Sequence, residues 1–440
     1  MDKIGIVSLG CDKNRVDTEN MLAFLKNDGY TFTGDPSDAD IIVVNTCAFI
    51  DSAKKESIDT ILEMSEYKKS GKCKCLIVSG CLSQRYMEEI KDDLEEVDIF
   101  LGTANYKDLP HILREYNGSR LAIKNDKDKR EDFKGERVLT TPYHYAYVKI
   151  AEGCDNHCTY CAIPNIRGKY TSRPIEEIVS EVEGLIKNYG VVELNIVAQD
   201  ITKYGIDIYG KVRLIDLLEE LSKLDVKWIR LLYCYPELVS DELLTYMANN
   251  DKIVKYIDIP MQHADDGILK LMNRHITKAD LLSLVERARR IVKGITIRTT
   301  FIVGFPSESE EQFNNLYEFV KECEFDRCGF FAYSREEGTP AYKLPNQLDE
   351  EVKAQRVSKL YELQESIMLK KAEATIGEVL DVIYEEIDYD NQCFVGRTAQ
   401  DAPEIDRVVY FTADIPVDIG NIYKIKIIDT AGIDLIGELV

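Results

Sequence analysis

The chain has 440 residues, enough for about three domains, and its 45% hydrophobic and 30% charged residues are ordinary for a folded protein with a proper core. A net charge of −23 argues against broad, non-specific binding to nucleic acid or an anionic membrane surface and is compatible with a basic partner. The apolar stretch near the start, Ile4–Leu9, is shorter than the roughly 7–15 residues of a signal core, and no apolar run approaches the ~18 residues of a span. The expected compartment is therefore the cytoplasm, with no membrane association. Twelve cysteines in a chain this large suggest metal or redox chemistry rather than a disulfide framework.

The first segment, to about Arg120, alternates short apolar runs with helical patterns such as "TENMLAFLKNDG". The runs "GIVSLGC", "DIIVVNTC" and "CLIVSGC" read as buried strands of a parallel α/β sheet. They end in Cys11, Cys47 and Cys81, and the carboxyl ends of neighbouring parallel strands share one edge, where ligands bind. The expected domain covers residues 1–122, followed by a charged linker, 123–140. From 141 to 370 the chain repeats strand then helix, with strands expected at Tyr145–Ile150, Val192–Val197, Trp228–Leu232, Tyr256–Ile259, Thr296–Ile302 and Arg327–Ala332. Six such units fall short of the eight of a closed barrel, so a partial, open (βα)6 barrel is expected. Residues 371–440 carry short β runs between turn residues, the pattern of a small antiparallel β barrel.

The run "CDNHCTYC" immediately follows the first barrel strand and supplies Cys154, Cys158 and Cys161. A cubane cluster and a closed zinc site each normally take four protein ligands, so three thiolates leave one position open. A zinc knuckle completed by His157 is the alternative, weakened because His157 adjoins Cys158 and the two side chains would struggle to face one metal. Cys11, Cys47 and Cys81 form a second group of three, assembled by the fold. Cys73 and Cys75 compete with Cys81, whose offset from its strand matches the other two; Cys234, Cys323, Cys328 and Cys393 are scattered and read as packing residues. In "NIRGKYTSRP", Arg167, Lys169 and Arg173 offer cations close to the first cysteine group, where a guanidinium matches a carboxylate bidentately. Gln199 and Asp200 end the second barrel strand and Gly304 follows the fifth, positions suited to cofactor contact.

The spacing Cys154-x3-Cys158-x2-Cys161, with Tyr160 before the last cysteine, resembles the signature of the radical S-adenosylmethionine (SAM) enzymes. That resemblance implies a 4Fe–4S cluster on three cysteines, with SAM on the fourth iron; Tyr160, within the signature, and Gln199, Asp200 and Gly304, at strand ends, are the expected cofactor contacts. With a second cysteine triad before the barrel and a small β barrel after it, the whole chain resembles the methylthiotransferases. These carry an N-terminal domain with its own 4Fe–4S cluster, here on Cys11, Cys47 and Cys81, and a C-terminal TRAM barrel. "VAQDITKYG", "NTCAFIDSAKKESID" and "DAPEID" at 401–406 resemble the branch that modifies an aspartate of the twelfth small-subunit ribosomal protein; Arg407 stands where that branch leads one to expect Gly. The tail agrees independently: from Lys371 to Val440 fifteen Asp and Glu face five Lys and Arg, unsuited to phosphate and suited to a basic protein.

The implied chemistry is reductive cleavage of SAM to a 5′-deoxyadenosyl radical, hydrogen abstraction from the aspartate β-carbon, and delivery of a methylthio group through the auxiliary cluster. Arg167 or Arg173 is expected to hold the substrate carboxylate. An electron-donor protein is implied as a partner, and the chain is expected to act as a monomer. The rival readings are a tRNA adenosine methylthiotransferase, opposed by the acidic tail, and a non-enzymatic iron–sulfur carrier, which would show no SAM cleavage.

Overall fold

The computed structural model describes residues 2–124, 126 and 136–440, so residues 125 and 127–135 of the expected charged linker lie outside the described residues. The chain forms two compact units. The first comprises Met1–Thr140, Tyr147–Gly184 and Ser334–Tyr342; the second comprises Thr141–Ala146, Leu185–Tyr333 and Lys343–Val440.

In the first unit, strands β1 (Lys3–Ser8), β2 (Thr31–Thr33), β3 (Ile41–Thr46), β4 (Cys75–Gly80), β5 (Ile99–Leu101) and β6 (Leu121–Ile123) form one sheet in the order β2-β1-β3-β4-β5-β6. Every pairing is parallel. Successive side chains point to opposite faces of a strand, so Ile42, Val44, Leu76 and Val78 enter one core while Ile41, Val43, Cys75 and Ile77 enter another. All of β3 and β4 is buried, as central strands of a sheet covered on both faces must be. Each such Val or Ile contributes about 1.5–3 kcal/mol of burial. The three expected cysteine-bearing strands, β1, β3 and β4, are immediate neighbours, which brings their carboxyl ends to one edge.

Strand β7 (Tyr145–Lys149) leads into β8 (Ala151–Glu152), which pairs antiparallel with β9 (Thr171–Ser172). That short pair closes residues 153–170 into a loop. Ala162 and Ile166 from this loop belong to the same apolar core as Val44 and Val78, so the loop is packed onto the N-terminal sheet.

The second unit holds strands β10 (Glu193–Val197), β11 (Trp228–Leu231), β12 (Ile253–Asp258), β13 (Thr296–Val303) and β14 (Arg327–Ala332). With β7 they make an open six-stranded sheet, β14-β13-β12-β11-β10-β7, that does not close, in accord with the expected partial barrel. Strands β15 (Val379–Asp388), β16 (Cys393–Thr398), β17 (Val409–Thr412), β18 (Ile422–Ala431) and β19 (Asp434–Leu439) form a closed barrel around Tyr384, Phe411 and Leu435. Its pairings are antiparallel as expected except one: β19, a strand the sequence pattern does not reveal, runs parallel to β17.

The "DAPEID" segment lies in this unit as an internal latch. Asp401 is fully buried and accepts from Arg327, from Arg407 Nε at 3.2 Å and from Thr398 Oγ1 at 2.5 Å. Asp406 accepts from Tyr256 Oη at 2.7 Å and from the Ala402 amide at 2.8 Å. Arg397 joins Glu193, itself held by Arg230 at 3.0 Å, to Glu385 at 2.9 Å. Arg407, where Gly was expected, is thus an added partner of Asp401. No helix among the described residues is long and apolar enough to cross a membrane.

Candidate metal centres

Cys11 is the N-cap of helix Asp12–Asn27, its carbonyl receiving the Asn14 and Arg15 amides at 2.9 and 3.1 Å. Cys47 follows β3 and is clamped by Ser57, which accepts from the Cys47 amide at 3.0 Å and donates to its carbonyl at 2.8 Å. Cys81 is the first residue of helix Cys81–Ile90. Gly10, at φ +87°, lets the first loop pass the second: a Cβ there would stand 2.7 Å from Cys47 Cβ and 2.9 Å from its Sγ. The three thiols sense one another. Burial pushes Cys81 up to about 12, opposed by the nearby Arg167 cation and reinforced by Cys11 and Cys47. Burial likewise raises Cys47, again with Cys11 adding and Arg167 subtracting. Cys73 precedes β4 and Cys75 opens it, at the far end of the strand from Cys81, which leaves them out of this cluster.

In the loop 153–170, the Cys154 amide donates to Gly168 O at 3.2 Å and the Cys161 amide to Cys158 O at 3.0 Å. Cys154 Sγ accepts from the Asn156 amide at 3.5 Å. Burial, then the neighbouring Cys158 and Cys154, raise the Cys161 thiol. Tyr160 sits half-buried in this turn and His157 adopts φ +50°. Among the described residues no three His, Cys, Asp or Glu side chains converge as they would on a single metal ion. Two sets of three soft thiol donors suit iron–sulfur clusters. Thiols held protonated by burial must release protons when metal binds.

Arg167 ends the short helix Ile163–Arg167 and is buried. Its guanidinium bonds Asp17 Oδ2 at 2.5 Å, Glu152 Oε2 at 3.2 Å, Asn14 Oδ1 at 3.1 Å and Cys81 Sγ at 3.4 Å. Arg173 bonds Glu181 at 2.6 Å and Lys149 O at 2.8 Å. Both guanidiniums that were expected to hold a substrate carboxylate thus bind carboxylates of this chain. In the second unit, Asp200 accepts from Thr202 N at 2.9 Å and Thr202 Oγ1 at 2.5 Å, capping the turn after β10, with half-buried Gln199 beside it. Gly304, after β13, has φ +71°, donates to Glu308 at 2.8 Å, and has no room for a Cβ against Lys353 Cγ, 2.3 Å away. Its backbone shape is the requirement seen there.

Sequence reasoning missed the polar residues around Arg167. Asn14, Asp17 and Lys149 are buried, and Lys149 bonds Asp17 and, at 2.6 Å, Glu152. It also missed the segment Ser334–Tyr342, whose Glu336 accepts from Arg85 at 2.7 Å and Lys54 at 3.1 Å while the Ala341 amide donates to Thr159 O at 2.9 Å. The sequence carries no local signal for the first group: "DKNRVDTEN" has few apolar residues, yet the helix it forms is largely buried.

Comparison with known proteins is consistent with this layout. The model of the uncharacterized protein family UPF0004 matches residues 3–102, that of the Radical SAM superfamily 148–320 and that of the TRAM domain 376–440. A ribosomal protein uS12 methylthiotransferase RimO of Acetivibrio thermocellus is 47% identical, covering 100% of this chain and 98% of that protein. The RimO of Clostridioides difficile (strain 630) is 48% identical, with 100% and 99% covered. Among solved structures, the radical S-adenosylmethionine methyltransferase TsrM from Kitasatospora setae, with tryptophan substrate and a SAM analog, shares the fold at a TM-score of 0.57 and 12% identity, covering 82% of this chain and 89% of that one. On the strength of the full-length relatives, the chain belongs to the family of ribosomal protein uS12 methylthiotransferases called RimO, within the radical SAM superfamily.

Proposed function

We propose that the chain adds a methylthio group to the β-carbon of an aspartate in the twelfth small-subunit ribosomal protein, using two 4Fe–4S clusters and SAM. Cys154, Cys158 and Cys161 would hold one cluster and Cys11, Cys47 and Cys81 the other. The observation that carries the reading is the presence of both triads in one compact unit of a chain whose full-length relatives are named for this reaction. When bound, the SAM-ligated cluster would supply a one-electron cleavage that yields a carbon radical strong enough for an unactivated C–H bond, and the second cluster would hold or donate the sulfur.

The chain's own residues fix that chemistry in place. The β8–β9 pair closes the loop of the first triad, Ser57 and Gly10 seat Cys47, and Ala162 and Ile166 pack the loop into the apolar core. Tyr160, Gln199, Asp200 and Gly304 remain the proposed SAM contacts, on the ground of their places in the sequence pattern. We further read residues 1–122, 141–370 and 371–440 as the three domains, the protein as a cytoplasmic monomer served by an electron-donor protein, and the acidic barrel as the face that meets the basic substrate. Anaerobic incubation of the reconstituted, reduced protein with SAM and either a loop peptide of the ribosomal protein or a tRNA anticodon stem-loop tests this by mass spectrometry. A methylthio group on the peptide aspartate alone supports the reading. The same group on the RNA alone overturns the substrate choice.

A further inference from the structure

Arg167 stands one residue from the carbonyl that anchors Cys154, yet its guanidinium reaches the other triad. The Gly168 carbonyl accepts from the Cys154 amide, so the chain at 167–168 is fixed to the SAM-side loop. On the far side, Arg167 donates to Cys81 Sγ at 3.4 Å and to Asn14 Oδ1 at 3.1 Å. Asn14 passes the link on: its amide donates to Leu9 O at 2.6 Å and Thr46 O at 3.3 Å. Those carbonyls belong to the segments entering Cys11 and Cys47. One guanidinium therefore touches, directly or through one side chain, the supports of all three auxiliary cysteines.

The surrounding charges are balanced. Asp17 and Glu152 face Arg167 and Lys149, and all four meet within hydrogen-bond contact in a pocket where only Glu152 is partly exposed. Such a group is costly to bury unless fully paired, and a site held at that cost commonly serves geometry or potential rather than stability. Hydrogen bonds to cysteine sulfur raise the potential of iron–sulfur centres, because they favour the more negative, reduced form.

We infer that Arg167 is a positioning residue that orients the auxiliary cysteines from the SAM-side loop and raises the reduction potential of the cluster they hold. This rests on the reading of Cys11, Cys47 and Cys81 as ligands. The test is an anaerobic redox titration of the reconstituted full-length protein, followed by electron paramagnetic resonance with and without SAM; the signal that SAM leaves unchanged reports the auxiliary cluster. Arg167→Met should move that midpoint to more negative potential by about tenfold in the one-electron equilibrium, about 59 mV, and leave the SAM-sensitive midpoint in place. Arg167→Lys, which keeps the charge and loses the fork, should recover part of the shift. The pair Arg167→Met/Asp17→Asn removes one charge of each sign, so that Lys149 is not left to neutralise both Asp17 and Glu152, and should show a displacement of the same sign. An unmoved auxiliary midpoint in both Met variants, at a full iron load of about eight per chain, overturns the inference. If Cys11→Ala/Cys47→Ala/Cys81→Ala removes the SAM-insensitive signal in that case, the ligand reading stands and the role of Arg167 alone fails; if the signal survives, both fall.

Discussion

Replacing Asp401 by Asn should destabilise the second unit more than any other single substitution in the "DAPEID" segment. The carboxylate is fully buried, so solvent screens none of its pairing, and it accepts from Arg327, Arg407 and Thr398 together. Asn keeps the shape and one acceptor oxygen but removes the nearest counter-charge of two guanidiniums, leaving Arg327 only Asp406 at 3.8 Å. Removing one partner of a buried pair costs about 3–5 kcal/mol, or roughly 6–20 °C in the midpoint of a unit this size. Arg407→Gln should cost about 1.5 kcal/mol, at the low end for a charged hydrogen bond, because Arg327 still neutralises Asp401 and burial already depresses the pKa of Arg407. Trp228, the single tryptophan, lies buried in β11 of this unit. Its emission during thermal unfolding therefore reports on this unit specifically. A smaller shift for Asp401→Asn than for Arg407→Gln would refute the assignment of Asp401 as the hub. So would full additivity in the double variant, since residues sharing a charge should couple.

The same network predicts an acid limit. For Asp401 and Glu193, burial would raise the pKa, but paired arginines outweigh it and hold each carboxyl below its usual range. Depressed folded-state values add stability that is present above the unfolded pKa of about 4 and is lost as pH falls below it. The Trp228 midpoint should hold from about pH 8 to 5 and fall by pH 3; a flat midpoint over that lower range contradicts the pairing. Gly10→Ala should displace Cys47 and halve the iron of the reconstituted protein, from about eight to about four per chain, with SAM cleavage retained; full iron would show that the close approach is unimportant. Charge reversal at exposed Asp414 and Asp429 to Lys should weaken capture of the basic ribosomal protein several-fold at low salt, an effect that fades with ionic strength; unchanged binding would remove the barrel from substrate docking.

How far the sequence could be read depended on how local each signal was. Strands β3 and β4 announce themselves because a doubly covered parallel strand is apolar throughout, and the cysteine loop because its spacing is contiguous. Strands β2, β5 and β6 are only three residues long, too short for any period to emerge, and they are strands because the centre of the sheet offers them partners. That Cys11, Cys47 and Cys81 share one sheet edge was legible from offsets alone, since strand ends converge in any parallel sheet. Arg167 was found as a cation near the chemistry, but its partners were not, because Asn14 and Asp17 lie in a polar run with no local mark of burial. Their burial comes from loop 153–170 folding over that helix, a contact more than a hundred residues apart that no periodicity encodes.

The latch also bears on which substrate the barrel suits. A nucleic-acid-binding barrel needs cations at its surface. Here both arginines of residues 371–440, Arg397 and Arg407, are buried against Glu193, Glu385 and Asp401. Setting aside those two cations, with Glu385, Asp401 and Asp406, leaves twelve acidic side chains against three lysines. The acidity of the tail is therefore not an artefact of counting internal pairs: the pairing draws the guanidiniums inward and leaves carboxylates outside. A polyanion meeting that surface is repelled, whereas a lysine- and arginine-rich protein is attracted over about a Debye length. The same internal network that fastens the barrel thus biases its outer face toward a basic protein.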